Sequence, residues 1–432
     1  MHADPTQRAA PLWSVLIFTF LNSVGTGVAT SGIFFIAQDG YGFTQAQNFA
    51  LGVLQGLTYV PAALLAGPLL RRLRSSAAWL SERGVLVCLM VGMGLLAAAP
   101  ALVRRLAEPG AAPAQWPIWA LVALYTPLTG LLWPIVESFL SGGKSGAALR
   151  RDIGVWNVVW SSALVFAYWG ISPLIKDTPE VALLGLGVVQ FIACACLVWF
   201  PAHAPEHGHV EREPHPPVYK DLLRAFRVLL PLSYLALSAL SPYLASLMGR
   251  LGVDPSWRTF TVSAWLAPRV IAFVVLGRWG AWHGRWWTAL FGAAGLVLGF
   301  GLCVGAGVSA GSPAALPLMV LGLVVFGLAM GTIYCGAIYY AMEVGDAALD
   351  AGGVHEALIG AGYMIGPSCG LLAIAGVKSG LVPTKGFDAV LLAVVGAFVV
   401  LGSASVLARG RKGDAILTAA SEHDGHMKRT GG

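Results

Sequence analysis

Charge is what this sequence has least of. Asp, Glu, Lys and Arg make up 11% of its 432 residues, where a soluble domain carries about 25%. Hydrophobic residues reach 57% and the mean hydropathy is +0.73, so the chain has too little polar surface to cover itself in water. That excludes a soluble enzyme, a secreted scaffold and a disordered chain. Cysteine is sparse as well. The six that exist (Cys88, Cys194, Cys196, Cys303, Cys335, Cys369) all fall inside apolar runs, which suits small packing residues and neither a disulfide framework nor a zinc site. No Walker loop stands between a strand and a helix, which excludes ATP hydrolysis by this chain. His355-Glu356 lacks the second His three residues on that a zinc protease needs, and no Gly-x-Ser-x-Gly elbow occurs. The expectation is a protein that is not an enzyme and uses neither metal nor cofactor. Short alternating segments are missing too, which excludes a transmembrane β-barrel.

What is present is long apolar windows, at about 12–37, 47–70, 84–103, 117–140, 153–174 and 181–201, then at about 228–249, 257–277, 287–308, 315–342, 354–376 and 387–408. One bilayer crossing takes about 20 apolar residues, so the pattern predicts an all-α polytopic membrane protein of about twelve spans. The first window follows a single base, Arg8, and is too long for a signal-peptide core; it reads as a retained span. An even number of spans puts both ends on one side. Most bases fall on that side: Arg71, Arg72, Arg74 and Arg83; Lys144, Arg150 and Arg151; Arg212, Lys220, Arg224 and Arg227; Arg409, Arg411 and Lys412. The opposite loops hold fewer, among them Arg104, Arg105, Arg250, Arg258 and Lys378. Cytoplasmic loops carry the Lys/Arg excess, so the formal charge of +6 reads as orientation rather than nucleic-acid binding. It places both termini in the cytoplasm of a cell (plasma or inner) membrane.

The longest polar stretch between spans divides the chain into an N-terminal six-helix bundle (1–201), a linker (202–227), a C-terminal six-helix bundle (228–408) and a polar, unstructured tail (409–432). The linker's His203, His207, His209 and His215 are the sort of cluster that holds a metal ion. With prolines between them and no Cys beside them, a hydrated cytoplasmic connection is the preferred reading.

The two halves resemble each other. Span two ends Gly67-Pro68-Leu69-Leu70-Arg71-Arg72, and span eight ends Gly277-Arg278-Trp279-Gly280-Ala281-Trp282-His283-Gly284-Arg285. Span five opens Gly154-Val155-Trp156-Asn157, and span eleven opens Gly353-Val354-His355-Glu356. Gly130 with Trp133 and Gly331 with Tyr334 repeat one spacing in the preceding spans. On these residues the chain resembles the major facilitator superfamily over nearly its whole length. That family carries Gly-x-Leu-x-Asp-Arg-x-Gly-Arg after span two and a weaker copy after span eight. Gly67, Leu69 and Arg72 match the first copy; Gly277, Gly284 and Arg285 match the second. Arg71 and Ala281 stand where the acid is expected. Span eleven holds Gly362-x-x-x-Gly366-Pro367-x-x-Gly370, shaped like an antiporter signature that the family places in span five. The resemblance implies two six-helix bundles with a substrate pathway between them.

Within that frame, Arg269 is the strongest single signal. It sits at mid-span after Pro268, where a cation costs at least about 2.5–3.5 kcal/mol and so faces a wet cavity or a partner. Pro268 frees a backbone carbonyl nearby. Tyr59 occupies the equivalent repeat position. Glu137 is the acid most embedded in a span and a candidate for proton coupling. Asn22, Gln55, Asn157, Trp133 and Tyr334, together with Tyr243, Tyr340, Trp265 and Tyr363, are candidates to line the cavity on spans the family uses for that purpose. Trp116, Trp279, Trp282, Trp286 and Trp287 sit at span ends and read as interfacial belt. With the signature acid replaced, a swapped latch is expected from Glu356, in the first turn of span eleven, to Arg71 or Arg72; His355 beside it is a candidate proton relay. The expectation is a monomeric secondary active transporter that moves a small-molecule substrate across the lipid bilayer by alternating access, coupled to protons. The alternative is a transporter-shaped sensor or scaffold that binds a ligand without moving it.

Overall fold

A computed structural model describes residues 9–76, 81–108, 110–144, 146–205, 215–344 and 349–430. Among them, twelve helices are long and apolar enough to cross a membrane. The spans are, in order, Leu12–Gly40, Gln45–Leu73, Glu82–Leu106, Trp116–Ser141, Ala148–Ile171 and Pro179–Trp199, then Val218–Arg250, Pro255–Arg278, Trp287–Val308, Ala315–Ala341, Gly352–Lys378 and Phe387–Arg409. No strand occurs among the described residues. The reason is the solvent: in lipid each backbone N–H and C=O must be satisfied within the chain, and a helix does this span by span.

Span seven lies deepest in the bundle, with 83% of its most apolar window buried, against 28% for span twelve. The outward faces carry Leu57, Leu95, Phe166, Ile192, Ile271, Leu298, Leu321 and Leu401, all exposed. These are the surfaces lipid tails would cover. All six cysteines are free; four are buried, Cys194 is half-buried and Cys88 is exposed.

Small residues set how closely the spans approach. A Cβ on Gly366 would lie 2.2 Å from the Leu235 carbonyl oxygen and one on Gly362 would lie 2.6 Å from the Tyr234 Cβ, so these two residues fit span eleven against span seven. The other edge of span eleven meets span two. There a Cβ on Gly52 would lie 2.7 Å from Pro367, one on Gly56 would lie 2.3 Å from the Met364 backbone nitrogen, and one on Gly353 would lie 2.8 Å from the Ala63 carbonyl oxygen. The signature-like Gly362, Gly366 and Gly370 are therefore occupied by packing, Gly370 against Phe49.

Two spans depart from regular α-helix. Span one widens to i→i+5 bonding at Val28–Gly32 and again at Ile36–Gly40; such turns are frequent at functional sites. Span eight breaks into a tight turn over Ser263–Trp265 before resuming as Leu266–Arg278. Pro268 explains the second break. It has no N–H to offer the carbonyl of Ala264, and its ring clashes with that carbonyl in a continuous helix. Span ten closes over the break through Gly327, where a Cβ would come within 2.0 Å of the Trp265 carbonyl oxygen.

Two regions differ from the expected boundaries. Span seven starts at Val218, so its first turns take in residues assigned to the linker; of the linker histidines, His207 and His209 lie outside the described residues. The last helix runs Phe387–Thr430, through the stretch expected to be an unstructured tail. Ala415, Leu417, Ala419 and Ala420 are good helix formers there.

Gly327→Ala should lower thermal stability in detergent by about 1–3 kcal/mol, because backbone rather than a movable side chain blocks the new methyl. Gly305→Ala has open space around it and should be neutral or gain up to ~1 kcal/mol. Equal melting temperatures for the two variants would contradict the close approach at the break.

Candidate functional site

Between the halves lies a cavity of about 70 Å³ lined by both. The N-terminal half contributes Ser23, Thr26, Thr30 and Ser31 from span one, Tyr59 from span two, Trp133 from span four, and Trp156, Trp160 and Leu164 from span five. The C-terminal half contributes Tyr234, Leu237, Trp265, Arg269, Tyr334, Glu356, Ile359 and Tyr363. Its volume admits a few waters and no larger solute.

Arg269 organises this space. It is 1% exposed, and the break before Pro268 positions it at the start of the resumed helix. One guanidinium nitrogen donates to the Tyr234 hydroxyl at 3.1 Å, while Nε is buried with no hydrogen-bond partner among the described residues. Aromatic faces surround the charge: its central carbon lies 4.4 Å from the Trp160 ring centre, 5.4 Å from Trp265 and 5.5 Å from both Phe273 and Tyr334. A desolvated cation over aromatic faces is stabilised by roughly 2 kcal/mol or more. Trp160 belongs to the other half, so this contact also joins the two bundles. Asn157 accepts a hydrogen bond from the Trp160 indole at 3.0 Å, and so acts on Arg269 by orienting that ring.

Glu356 is the second polar pole. It is 5% exposed and accepts a hydrogen bond from the hydroxyl of Tyr59 across the interface between the halves. The Tyr363 ring stands edge-on to both Tyr59 and Tyr234, at 5.8 and 5.7 Å, so an aromatic bridge links the acid's partner to the guanidinium's partner. Glu137 is nearby: a Cβ on Gly352, one turn before Glu356, would lie 2.8 Å from its Oε2. Its Oε1 is buried without a hydrogen-bond partner among the described residues.

Of the residues singled out from the sequence, Arg269, Tyr59, Trp133, Tyr334, Trp265, Tyr363 and Glu356 come together at this cavity, with Glu137 close behind Glu356. Glu356, expected to latch to Arg71 or Arg72, is instead inside the bundle, while both arginines are exposed. The helix begins at Leu349, so Glu356 is about two turns in rather than in the first turn. His355 packs edge-on against Tyr334 at 5.5 Å, with Nε2 buried and without a partner among the described residues. Asn22 donates to the carbonyl of Phe18 in its own helix, and Gln55 donates to the Ala29 carbonyl in the widened part of span one; both satisfy backbone rather than face the cavity. Gly277 lies at the exposed end of span eight, and Arg285 is exposed. Gly284 adopts φ 73°, which glycine tolerates, and its N–H donates to the Tyr340 hydroxyl. Tyr340 stacks on Phe226 and Tyr243 bonds Arg250, so neither lines the cavity. The residues that sequence reasoning missed are Ser23, Thr26, Thr30, Ser31, Trp156, Trp160 and Tyr234. For span one the signal was present: Ser23, Thr26 and Thr30 form a polar stripe at helical spacing in an apolar helix.

Ion pairs tie the halves at both ends of this axis. Arg258 pairs with Asp39 at 2.5 Å on one face, with both side chains nearly buried (13% and 10% exposed). Arg150 pairs with Glu343 at 2.8 Å on the other, more openly.

Twelve helical spans among the described residues, enclosing an aromatic-lined cavity between two bundles, form the major facilitator fold. Two crystal structures of the nucleoside transporter NupG, one of them a point mutant, share it: with TM-scores of 0.64 and 0.65 and 13% identity they cover 92% of this chain and 98% and 99% of their own. No protein-family model and no curated protein matches the sequence itself.

Arg258→Gln should cost about 3 kcal/mol or more of stability by leaving Asp39 buried without its cation. Adding Asp39→Asn should recover most of that loss. Thermal unfolding of the two single variants and the double variant checks the pair; simple additivity would show no coupling.

Proposed function

We propose that this protein is a secondary active transporter, moving a small solute by alternating access and driven by protons. The observation that carries the reading is Arg269: a buried mid-span cation whose Nε has no partner among the described residues, on a cavity built from both halves. A donor left unmade in a dry interior is costly, and a bound anionic or strongly polar group offsets that cost. Rings from both halves favour a planar solute, and hydroxyls of Ser23, Thr26 and Thr30 add hydrogen bonds to its edge. A nucleoside, the solute in NupG's name, combines a planar ring with polar groups and is the first compound to try. Because the present cavity holds only a few waters, loading requires the halves to part, as alternating access demands.

Glu356 is the acid we assign to proton coupling, with Glu137 of span four against Gly352, one turn before it. Protonating it weakens the charge-assisted bond from Tyr59 that spans the two halves, so occupancy by a proton is felt by the closure itself. In this reading the protein works as a monomer in the plasma or inner membrane, with both termini cytoplasmic and the basic loops inside.

Uptake into proteoliposomes under an imposed pH gradient tests the proposal. Arg269→Ala should reduce uptake at least about tenfold, the loss of one charge-assisted contact, while elution as a monodisperse species is retained. Glu356→Gln should abolish accumulation driven by the gradient yet keep solute exchange. Ligand binding without counterflow in the wild-type protein would overturn transport, and unchanged gradient-driven accumulation in Glu356→Gln would overturn proton coupling through this acid.

A further inference from the structure

A second and larger cavity, about 600 Å³, opens on the basic face between spans five, eight and ten. Its lining divides by chemistry. At its mouth stand Arg150 and Arg151, near the start of span five, and Arg278, the last residue of span eight; all three are exposed. Farther in, the wall is Val155, Val158, Val159, Val274 and Ile338, with Val155 41% exposed on the outer surface. The three arginines thus lie at the depth of lipid headgroups, since span ends mark that level, and the valines lie at the depth of acyl chains.

The charge balance at the mouth is positive. Arg150 pairs with Glu343, and Asp152 is shared by Arg151 and Lys144, so two carboxylates face four cations. Among the described residues Arg278 has no ion pair. His283, in the same wall, stacks on Tyr339 with ring centres 4.1 Å apart. Burial and the nearby Arg150 hold its pKa below the usual 6.5, so at neutral pH it adds a flat neutral face.

We propose that this groove seats an anionic phospholipid of the adjacent leaflet, its phosphate among Arg151, Arg278 and Arg150 and one acyl chain along the valine wall. A free anion would use the mouth and leave the valines uncovered; a neutral lipid would use the valines and leave Arg278 without a counter-charge. The molecule would straddle the two bundles, since Arg150 and Arg151 belong to one and Arg278 to the other. A ligand that bridges two bodies in one arrangement favours that arrangement by its differential affinity. Anionic lipid would therefore stabilise the closure of spans five and eight seen here. Basic pockets between membrane helices are known to take phosphate headgroups in this way.

The test compares purified wild-type protein with the exposed double variant Arg151→Gln/Arg278→Gln, titrated in detergent with phosphatidylglycerol or with phosphatidylcholine of the same chains. Bound lipid is counted by native mass spectrometry and its effect read by thermal unfolding. Wild type should bind phosphatidylglycerol in preference and melt higher with it. The double variant should keep its lipid-free melting point and bind phosphatidylglycerol about thirtyfold more weakly. Equal binding of the two lipids, a preference unchanged in the variant, or full displacement of phosphatidylglycerol by millimolar inorganic phosphate would overturn the proposal, the last by showing a phosphate site without a lipid seat. None of these outcomes depends on whether the protein transports a solute.

Discussion

A guanidinium held in the middle of a membrane must be solvated by something, and here the protein does it with rings. Arg269 has one phenol to donate to and four aromatic faces around it, an arrangement that offsets much of the cost of leaving water while keeping part of the guanidinium available. Much of the nearby architecture serves this placement. The break before Pro268 sets where the side chain starts, Gly327 lets span ten cover the break, and Asn157 fixes the indole that lies closest. A carboxylate beside Arg269 would satisfy it more completely, but would also compete with any anionic ligand.

The acid is kept apart instead. Glu356 takes its hydrogen bond from Tyr59 of the opposite half, and the rings of Tyr363 and Tyr234 stand between it and the guanidinium. A cation and an acid separated by polarizable rings give the cavity two polar poles with a gap between them. Both poles come from the C-terminal half, whereas Trp160 and Tyr59, which cover them, come from the N-terminal half. Parting the halves would uncover both poles together.

The sequence made the fold legible because lipid leaves so few options: long apolar windows can only be helices, and the window edges agree with the observed spans to within a few residues at most ends. Arg269 was legible for the same reason, since a mid-span cation has no cheap explanation. Polar residues of ordinary cost were harder. Asn22 and Gln55 look like cavity residues but spend their amides on helix carbonyls, and nothing in their identity separates the two uses. Glu356 reads as a first-turn residue because the apolar window opens only at about 354, whereas the helix begins at Leu349, and Gly352 and Gly353 inside it are points of close contact with Glu137 and Ala63. Trp160 and Tyr234 gave no signal in one dimension, because their role arises only when spans five and seven converge on Arg269.

The glycine-lined seam between spans two and eleven has a mechanical meaning. Gly56 and Gly353 bring backbone against the backbone of Met364 and Ala63, while Gly52 and Gly360 leave shallow notches for the Pro367 ring and for the Val60 and Tyr59 side chains. Interdigitated leucines would resist shear like meshed teeth; bare backbone at two points and shallow notches at two others resist it less. If the bundles swing, this line is where they can roll with the least repacking, and a bulky residue at any of these glycines would act as grit in the joint.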